Sequence, residues 1–330
     1  MNRVINCNLK QRMVNYVRDN LIVVVMVILV VATVIVEPKY LSTQNIANIF
    51  SQFGPLSLVS LGMTCVILGG YIDLSVAGVI NLVAVTTILL IGPLGQVPAL
   101  VIGVLMGLIM GLITGAVIIS SGAATQSDSM FLTFGMSTVY SALARIVSGG
   151  VTQQLSWIET DYSLFTCIGS GRIGIIPVSI IIFLICLLAL TFFSKTYMGR
   201  SVYLTGGNKN AARLVGIPVK KTIMLMYIIS GLMAAIGSIV LFTRVTIASP
   251  TLGVNFETNA ILAVVLGGTA LKGGKGSFLR TVLGVALVTM LSNCMNLMGV
   301  STFMQTIMNG LVLVLAIWLD NRKDMKGVQS

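Results

Sequence analysis

The chain has 330 residues, 56% hydrophobic and 9% charged, with 34 glycines and a mean hydropathy of +1.01. That composition excludes a soluble domain with a wetted surface and defines a polytopic membrane protein. Lys and Arg outnumber Asp and Glu by 20 to 9; there is no histidine, and the five cysteines (Cys7, Cys65, Cys167, Cys186 and Cys294) are scattered, which argues against a metal site, a disulfide framework, a histidine-activated nucleophile and any covalent chemistry by the chain itself.

Residues 1–19 carry Arg3, Lys10, Arg12 and Arg18 and precede a first apolar run, 20–37. Secretory signals open in the same way. Here no small-residue cleavage site follows and Glu37-Pro38-Lys39 comes directly after, so an uncleaved first helix is expected. Further apolar runs follow at 54–70, 74–92, 98–120, 130–147, 174–193, 222–243, 256–270, 278–298 and 302–319, which makes ten. With the N-terminus inside the cell, ten crossings place sixteen of the twenty basic residues on the inner side and only Lys39, Arg145, Arg172 and Arg244 outside. The inner regions are then 1–19, 71–73, 121–129, a central loop 194–221, 271–277 and a tail 320–330, and both termini are cytoplasmic. The resulting organisation is six spans in 20–193, the loop, four spans in 222–319 and the tail.

Between the second and third runs, GGYIDLSVAG holds one of the nine acids, Asp73, with Ser75 two residues on. Asp73 reads as the N-cap of the third span or, because ionisable groups at membrane depth are expensive, as a gating group on a solute path. Gly103, Gly107, Gly111 and Gly115 form a smooth stripe along the fourth span, which suits close helix packing or sliding. GSGRIG at Gly169 to Gly174 matches a dinucleotide fingerprint by letter only, since no strand precedes it.

The central loop concentrates Lys195, Arg200, Lys209, Arg213, Lys220 and Lys221. Within it, Asn210 to Val215 reads as a short helix entered through a capped Gly206-Gly207-Asn208 turn and stopped by Gly216, with Pro218 just beyond. The positive-inside rule accounts for the charges but not for the cap, the Ala211-Ala212 face or the glycine stop. The loop is therefore read as a compact cationic knob suited to docking into a groove on a soluble partner.

VILGG (Val66 to Gly70) and VVLGG (Val264 to Gly268) hint at an internal repeat. GGTALKGGKGS, Gly267 to Ser277, lacks the Ser or Thr that a phosphate-binding loop places after its lysine, so the chain is not expected to hydrolyse ATP. In the last spans Asn293 and Asn296 share one helix face, and Gln305 and Asn309 another. These amides suit either a path for a hydroxylated solute or hydrogen bonding between helices.

In combination these segments resemble the permease subunits of bacterial ABC importers for ribose, xylose, galactose and related sugars. The resemblance runs from EPKYLSTQNIANIFSQ to the closing span and is carried by GGYIDLSVAG, GRSVYLTGGNKNAARLVGI, ETNAILAVVLGGTALKGGKGSFLRTVLG and NLMGVSTFMQTIMNGLVLVLAIWLD. It implies an all-α polytopic bundle of about ten transmembrane helices in the bacterial inner membrane, with a cytoplasmic coupling helix. That helix lies within Asn208 to Ile217 and would sit in a groove of a separate ATPase subunit, with Gly207, Asn208, Asn210, Ala211, Ala212, Arg213, Gly216 and Ile217 as coupling residues. A periplasmic binding protein would deliver the sugar, a second permease copy or homologue would complete the path, and ATP and magnesium would be used by the ATPase, with no cofactor on this chain. Asn210 stands where the family commonly has Glu, and Asn259, which joins the candidate path residues, where it commonly has Asp. Ala77 and SDSMFLTFGMST also depart from the family pattern. A branched amino acid permease, an ion-coupled carrier built around Asp73 and a membrane scaffold are the competing readings.

Overall fold

The computed structural model describes residues 21–123, 125–174 and 176–327. The expected inner segment 1–19, with Cys7 and its four basic residues, lies outside the described residues, as do positions 328–330 of the tail. Among the described residues there are thirteen α-helices: α1 (Leu21–Val36), α2 (Thr43–Leu68), α3 (Val76–Leu94), α4 (Gln96–Ser120), α5 (Gln126–Ser148), α6 (Ser163–Ser170), α7 (Val178–Lys195), α8 (Tyr197–Gly207), α9 (Lys209–Leu214), α10 (Val219–Val245), α11 (Phe256–Leu266), α12 (Phe278–Leu297) and α13 (Thr302–Gly327). Seven of them, α2, α3, α4, α5, α7, α10 and α12, are long and apolar enough to cross a membrane, and α1, α11 and α13 carry shorter apolar stretches. Each of the ten apolar runs overlaps one of these ten helices. The chain is a multi-pass helical membrane protein.

The helices depart from the apolar runs where polar residues act as helix signals. α2 starts at Thr43 rather than near 54, because the Ser42 hydroxyl accepts from the Asn45 N–H at 3.3 Å and Asn45 itself is buried. α5 starts at Gln126 through a reciprocal capping box between Thr125 and Asp128. α11 stops at Leu266, short of 270, and with 11 residues reaches about 16 Å, half of a bilayer core. α13 continues past 319 to Gly327.

The core is built on α2 and α10, which pack against each other, with α4 across α10 and α3 beside α4 and α10. Leu58, Leu61, Met63, Val66 and Ile67 of α2 and Met226, Tyr227, Ala234 and Phe242 of α10 are fully buried. The glycine stripe of α4 is a packing surface. Gly107 faces Gly231 and Ala235, Gly111 faces the Tyr227–Ile228 backbone and Gly115 faces Met224, so α4 approaches α10 nearly backbone to backbone, while Gly103 meets Thr87 of α3. At the end of the bundle away from α9, β1 (Gln153–Gln154) pairs antiparallel with β4 (Ile247–Ala248), and β2 (Arg172–Ile173) with β3 (Ile176–Pro177). GSGRIG thus joins the last turn of α6, whose Gly169 lies against Thr243 and Arg244, to the first strand of a hairpin, and is not a nucleotide fingerprint.

Candidate functional site

The central loop is helical nearly throughout. α8 runs to Gly207, so Gly206 and Gly207 form the last turn of a helix and not the expected turn. Asn208 then serves both ends: its N–H bonds the Leu204 carbonyl, closing α8, while its side-chain oxygen accepts from the N–H groups of Asn210 and Ala211 at 3.0 Å, opening α9. Six residues later the stop is a Schellman turn. Gly216 sits at φ +82°, its N–H bonds the Arg213 carbonyl, and the Ile217 N–H bonds the Ala212 carbonyl, both at 3.0 Å.

This geometry divides the knob into an inner and an outer face. Ala212 and Ile217 are buried, at 2% and 8% exposure. Leu214 and Val215 stand out at 89% and 73%, beside exposed Asn210, Ala211, Arg213 and Gly216. Two large apolar side chains at the tip of a cationic projection are unfavourable in water and suit a partner groove. Neither was anticipated from the sequence, although both lie inside the short helix read there.

Beneath the knob lies a seat made of glycine. Gly206 rests on the Leu68 carbonyl and Gly274, Gly273 rests on Gly70, and Gly274 rests on Gly207, so that a Cβ at 206, 273 or 274 would strike backbone. The Gly274 N–H also donates to the Leu68 carbonyl at 2.8 Å. Three Gly-Gly pairs, 69–70, 206–207 and 273–274, thereby meet at one junction. The phosphate-loop resemblance of Gly267 to Ser277 has this packing as its explanation. The VILGG and VVLGG segments share a geometry as well as letters: Gly70 (φ +79°) and Gly268 (φ +82°) each close a helix, with Tyr71 N–H on Val66 O and Thr269 N–H on Val264 O, both at 3.2 Å.

Lys209 ties the knob to this junction, its Nζ lying 3.9 Å from the centre of the Tyr71 ring. Burial, followed by the nearby Arg213, lowers the Lys209 pKa, and Asp128 acts the other way. Residues 71–73, 121–129, 194–221 and 271–277, the stretches that charge assigns to one side, do converge here: Tyr71, Gly122, Lys209 and Arg213 line one cavity, and the Gln126 side chain donates to the Leu271 carbonyl at 2.9 Å.

From the junction the chain passes through Tyr71 to Ser75 in non-helical conformation into the protein interior. Asp73 precedes the N-cap of α3, which is Ser75, so the expected capping role is corrected. Its carboxylate accepts from the Ser75 N–H at 2.9 Å, from the Ser75 hydroxyl, and from the Ser230 hydroxyl of α10 at 2.7 Å, and it is 1% exposed. The acceptors for the neighbouring N–H groups come from α5. Ser129, Thr133 and Ser137 accept from the N–H groups of Ile72, Leu74 and Gly78 at 3.2, 3.0 and 3.2 Å, and Ser141 accepts from Asn81 at 3.0 Å. This ladder, spaced by four residues, satisfies a backbone that no helix satisfies. The spacing is legible in the sequence and was not read there.

The amides divide into pairs between elements. Asn293 and Asn45 exchange two hydrogen bonds at 3.0 Å, Gln305 donates to Asn296 at 2.8 Å, and Asn309 donates to Asn259 at 3.2 Å. Asn293 and Asn309 are buried, while Asn296 is exposed beyond the end of the α12 core. The helical faces therefore do not gather the four late amides into one polar track.

A buried helical core, a backbone segment fed by hydroxyls and a capped projection at one end make up this membrane protein. Residues 45–317 match the family described as branched-chain amino acid transport system / permease component, and the chain belongs to that family. It is a transport subunit and not an enzyme. Among its relatives, it is 36% identical over 298 residues to the ribose import permease protein RbsC of Bacillus subtilis, covering 90% of each chain. It is 33% identical to the RbsC of Escherichia coli strain K12 (93% of this chain, 94% of the relative) and 34% identical to the L-arabinose transport system permease protein AraH of that strain (91% and 89%). No solved structure matches the chain.

Proposed function

We propose that this chain is the membrane permease of an ATP-driven monosaccharide importer of the bacterial inner membrane, which moves its solute by alternating access. α9 is the coupling helix. It docks in a groove of a separate ATPase subunit, which uses ATP and magnesium; a periplasmic binding protein delivers the sugar, and a second copy or a homologue completes the path. α9 and sixteen of the twenty basic residues face the cytoplasm, as do both termini, with ten crossings between. Relatives named for ribose and L-arabinose at full length support the sugar class.

The observation that carries this reading is the two-faced knob: Ala212 and Ile217 anchored inside, Leu214 and Val215 presented outside. ATP favours one arrangement of the ATPases, and a rigid knob passes that preference to the helices as a linked equilibrium. An ion-coupled carrier is disfavoured because both carboxylate oxygens of Asp73 are already engaged by protein donors.

The test is ATP-dependent uptake in proteoliposomes with the cognate ATPase. Gly216→Pro demands φ near −65° where the chain holds +82°, and Ala212→Glu buries a charge under the knob. Each variant should insert and yet fail to transport; normal uptake by both refutes the reading. Competition by branched-chain amino acids but by no pentose would move the substrate class within the family.

A further inference from the structure

Beside the knob, two concavities share a wall. The first is a cavity of about 180 Å³ where Lys209, Arg213 and Lys220 surround Tyr71 and Ile119. The second is a groove of about 400 Å³ on the outside of the bundle, lined by Ile119, Met198, Met224, Leu225 and Ile228, with Lys220 and Lys221 at its mouth. Ile119 and Lys220 belong to both, so the apolar groove adjoins the cationic cavity directly.

We propose that this seam is a binding site for an anionic glycerophospholipid, with an acyl chain in the groove and the headgroup phosphate among Lys220, Lys221 and Arg213. Charge complementarity selects the occupant. Met224, Leu225 and Ile228 lie on neighbouring positions of α10, facing where hydrocarbon would be, and Lys220 and Lys221 lie about one turn nearer the knob. The first turn of α10 has no acidic residue, so its positive dipole end adds to the same field. Lys220, Lys221 and Arg213 are exposed, while Asp128, the acid that acts on Lys209, lies on α5. An apolar peptide would fill the groove and leave the cations without a counter-charge. A free anion would engage the cations and leave the groove empty. A lipid of net negative charge satisfies both.

This inference does not depend on the coupling role of α9, because binding is measured on the full chain alone. The purified protein in detergent is offered phosphatidylglycerol and phosphatidylcholine with identical acyl chains, and the retained adducts are weighed by native mass spectrometry. Wild type should prefer phosphatidylglycerol, and each surface cation removed should lower that preference about fivefold, so that Lys220→Gln/Lys221→Gln loses about 25-fold. Lys275→Gln at the same end of the bundle should retain the preference, and Lys221→Gln alone serves if the double variant fails to fold. Equal retention of the two lipids by wild type, or an unchanged preference in the lysine variants, overturns the site. Loss of the preference on adding millimolar inorganic phosphate overturns the lipid in favour of a free anion.

Discussion

Gly206 and Gly207 are neighbours in one helical turn, and the seat beneath the knob predicts opposite fates for them. A methyl group at 206 falls on the Leu68 carbonyl and 2.8 Å from the Gly274 nitrogen, both backbone atoms, whereas one at 207 meets nothing within 4 Å. Accommodating Gly206→Ala requires α8 to lift from the junction. That overpacks the site at about 1–3 kcal/mol and stretches or breaks the Gly274-to-Leu68 hydrogen bond, about 1 kcal/mol more. The sum, about 2–4 kcal/mol, shifts the seated population by roughly 30- to 700-fold. Gly207→Ala, at an ordinary helical φ, should be neutral or stabilise by a few tenths of a kcal/mol to about 1 kcal/mol through reduced backbone freedom. The assay is paired: the midpoint of thermal aggregation in detergent and ATP-driven uptake in proteoliposomes. Gly206→Ala should lower both while Gly207→Ala leaves both at wild-type level. If the two variants behave alike, the three Gly-Gly pairs do not form the contact described.

Leu214→Asp and Val215→Asp should leave the melting midpoint unchanged, since both side chains are exposed, yet weaken association with the ATPase at least about tenfold in a pull-down titration. Asn45→Ala and Asn293→Ala should each destabilise by about 1–3 kcal/mol because each strands its buried partner, while the double variant costs less than the sum in a double-mutant cycle. At the opposite end, the Ser163 N–H and hydroxyl, with Gln96, hold the Asp161 pKa below the ordinary carboxylate range. The contribution of a carboxylate with a depressed pKa is present above the unfolded value of about 4 and is lost as pH falls through the folded one, so the advantage of wild type over Asp161→Asn should persist at about pH 5 and vanish only in stronger acid. Gly111→Leu should abolish folding and not alter solute choice, as monodispersity by gel filtration will report, because its Cβ position is filled by the Tyr227–Ile228 backbone.

What was legible in the sequence was what local chemistry encodes. Asn208 as a cap and Gly216 as a stop are statements about a few neighbouring backbone groups, and the structure contains both. α8 was hidden because Gly206-Gly207 has the letters of a turn, and only the distant Leu68 and Gly274 require glycine there. The first three turns of α2 were hidden because Asn45, Asn48 and Gln52 dilute its hydropathy, although Asn45 is buried by pairing with Asn293 at the far end of the chain. For the same reason the amide faces, visible as spacing on single helices, could not reveal their partners. The α5 hydroxyls were the missed case in which spacing alone sufficed, since Ser129, Thr133, Ser137 and Ser141 recur every four residues in an otherwise greasy helix.

A junction in which main chain touches main chain has almost no compliance. Side chains yield by changing rotamer and so absorb small displacements; peptide planes do not. Any tilt imposed on α8 is therefore delivered at nearly full amplitude to the C-terminal end of α2 and to the 273–274 turn, and the absence of side chains at that spot is what makes the linkage stiff.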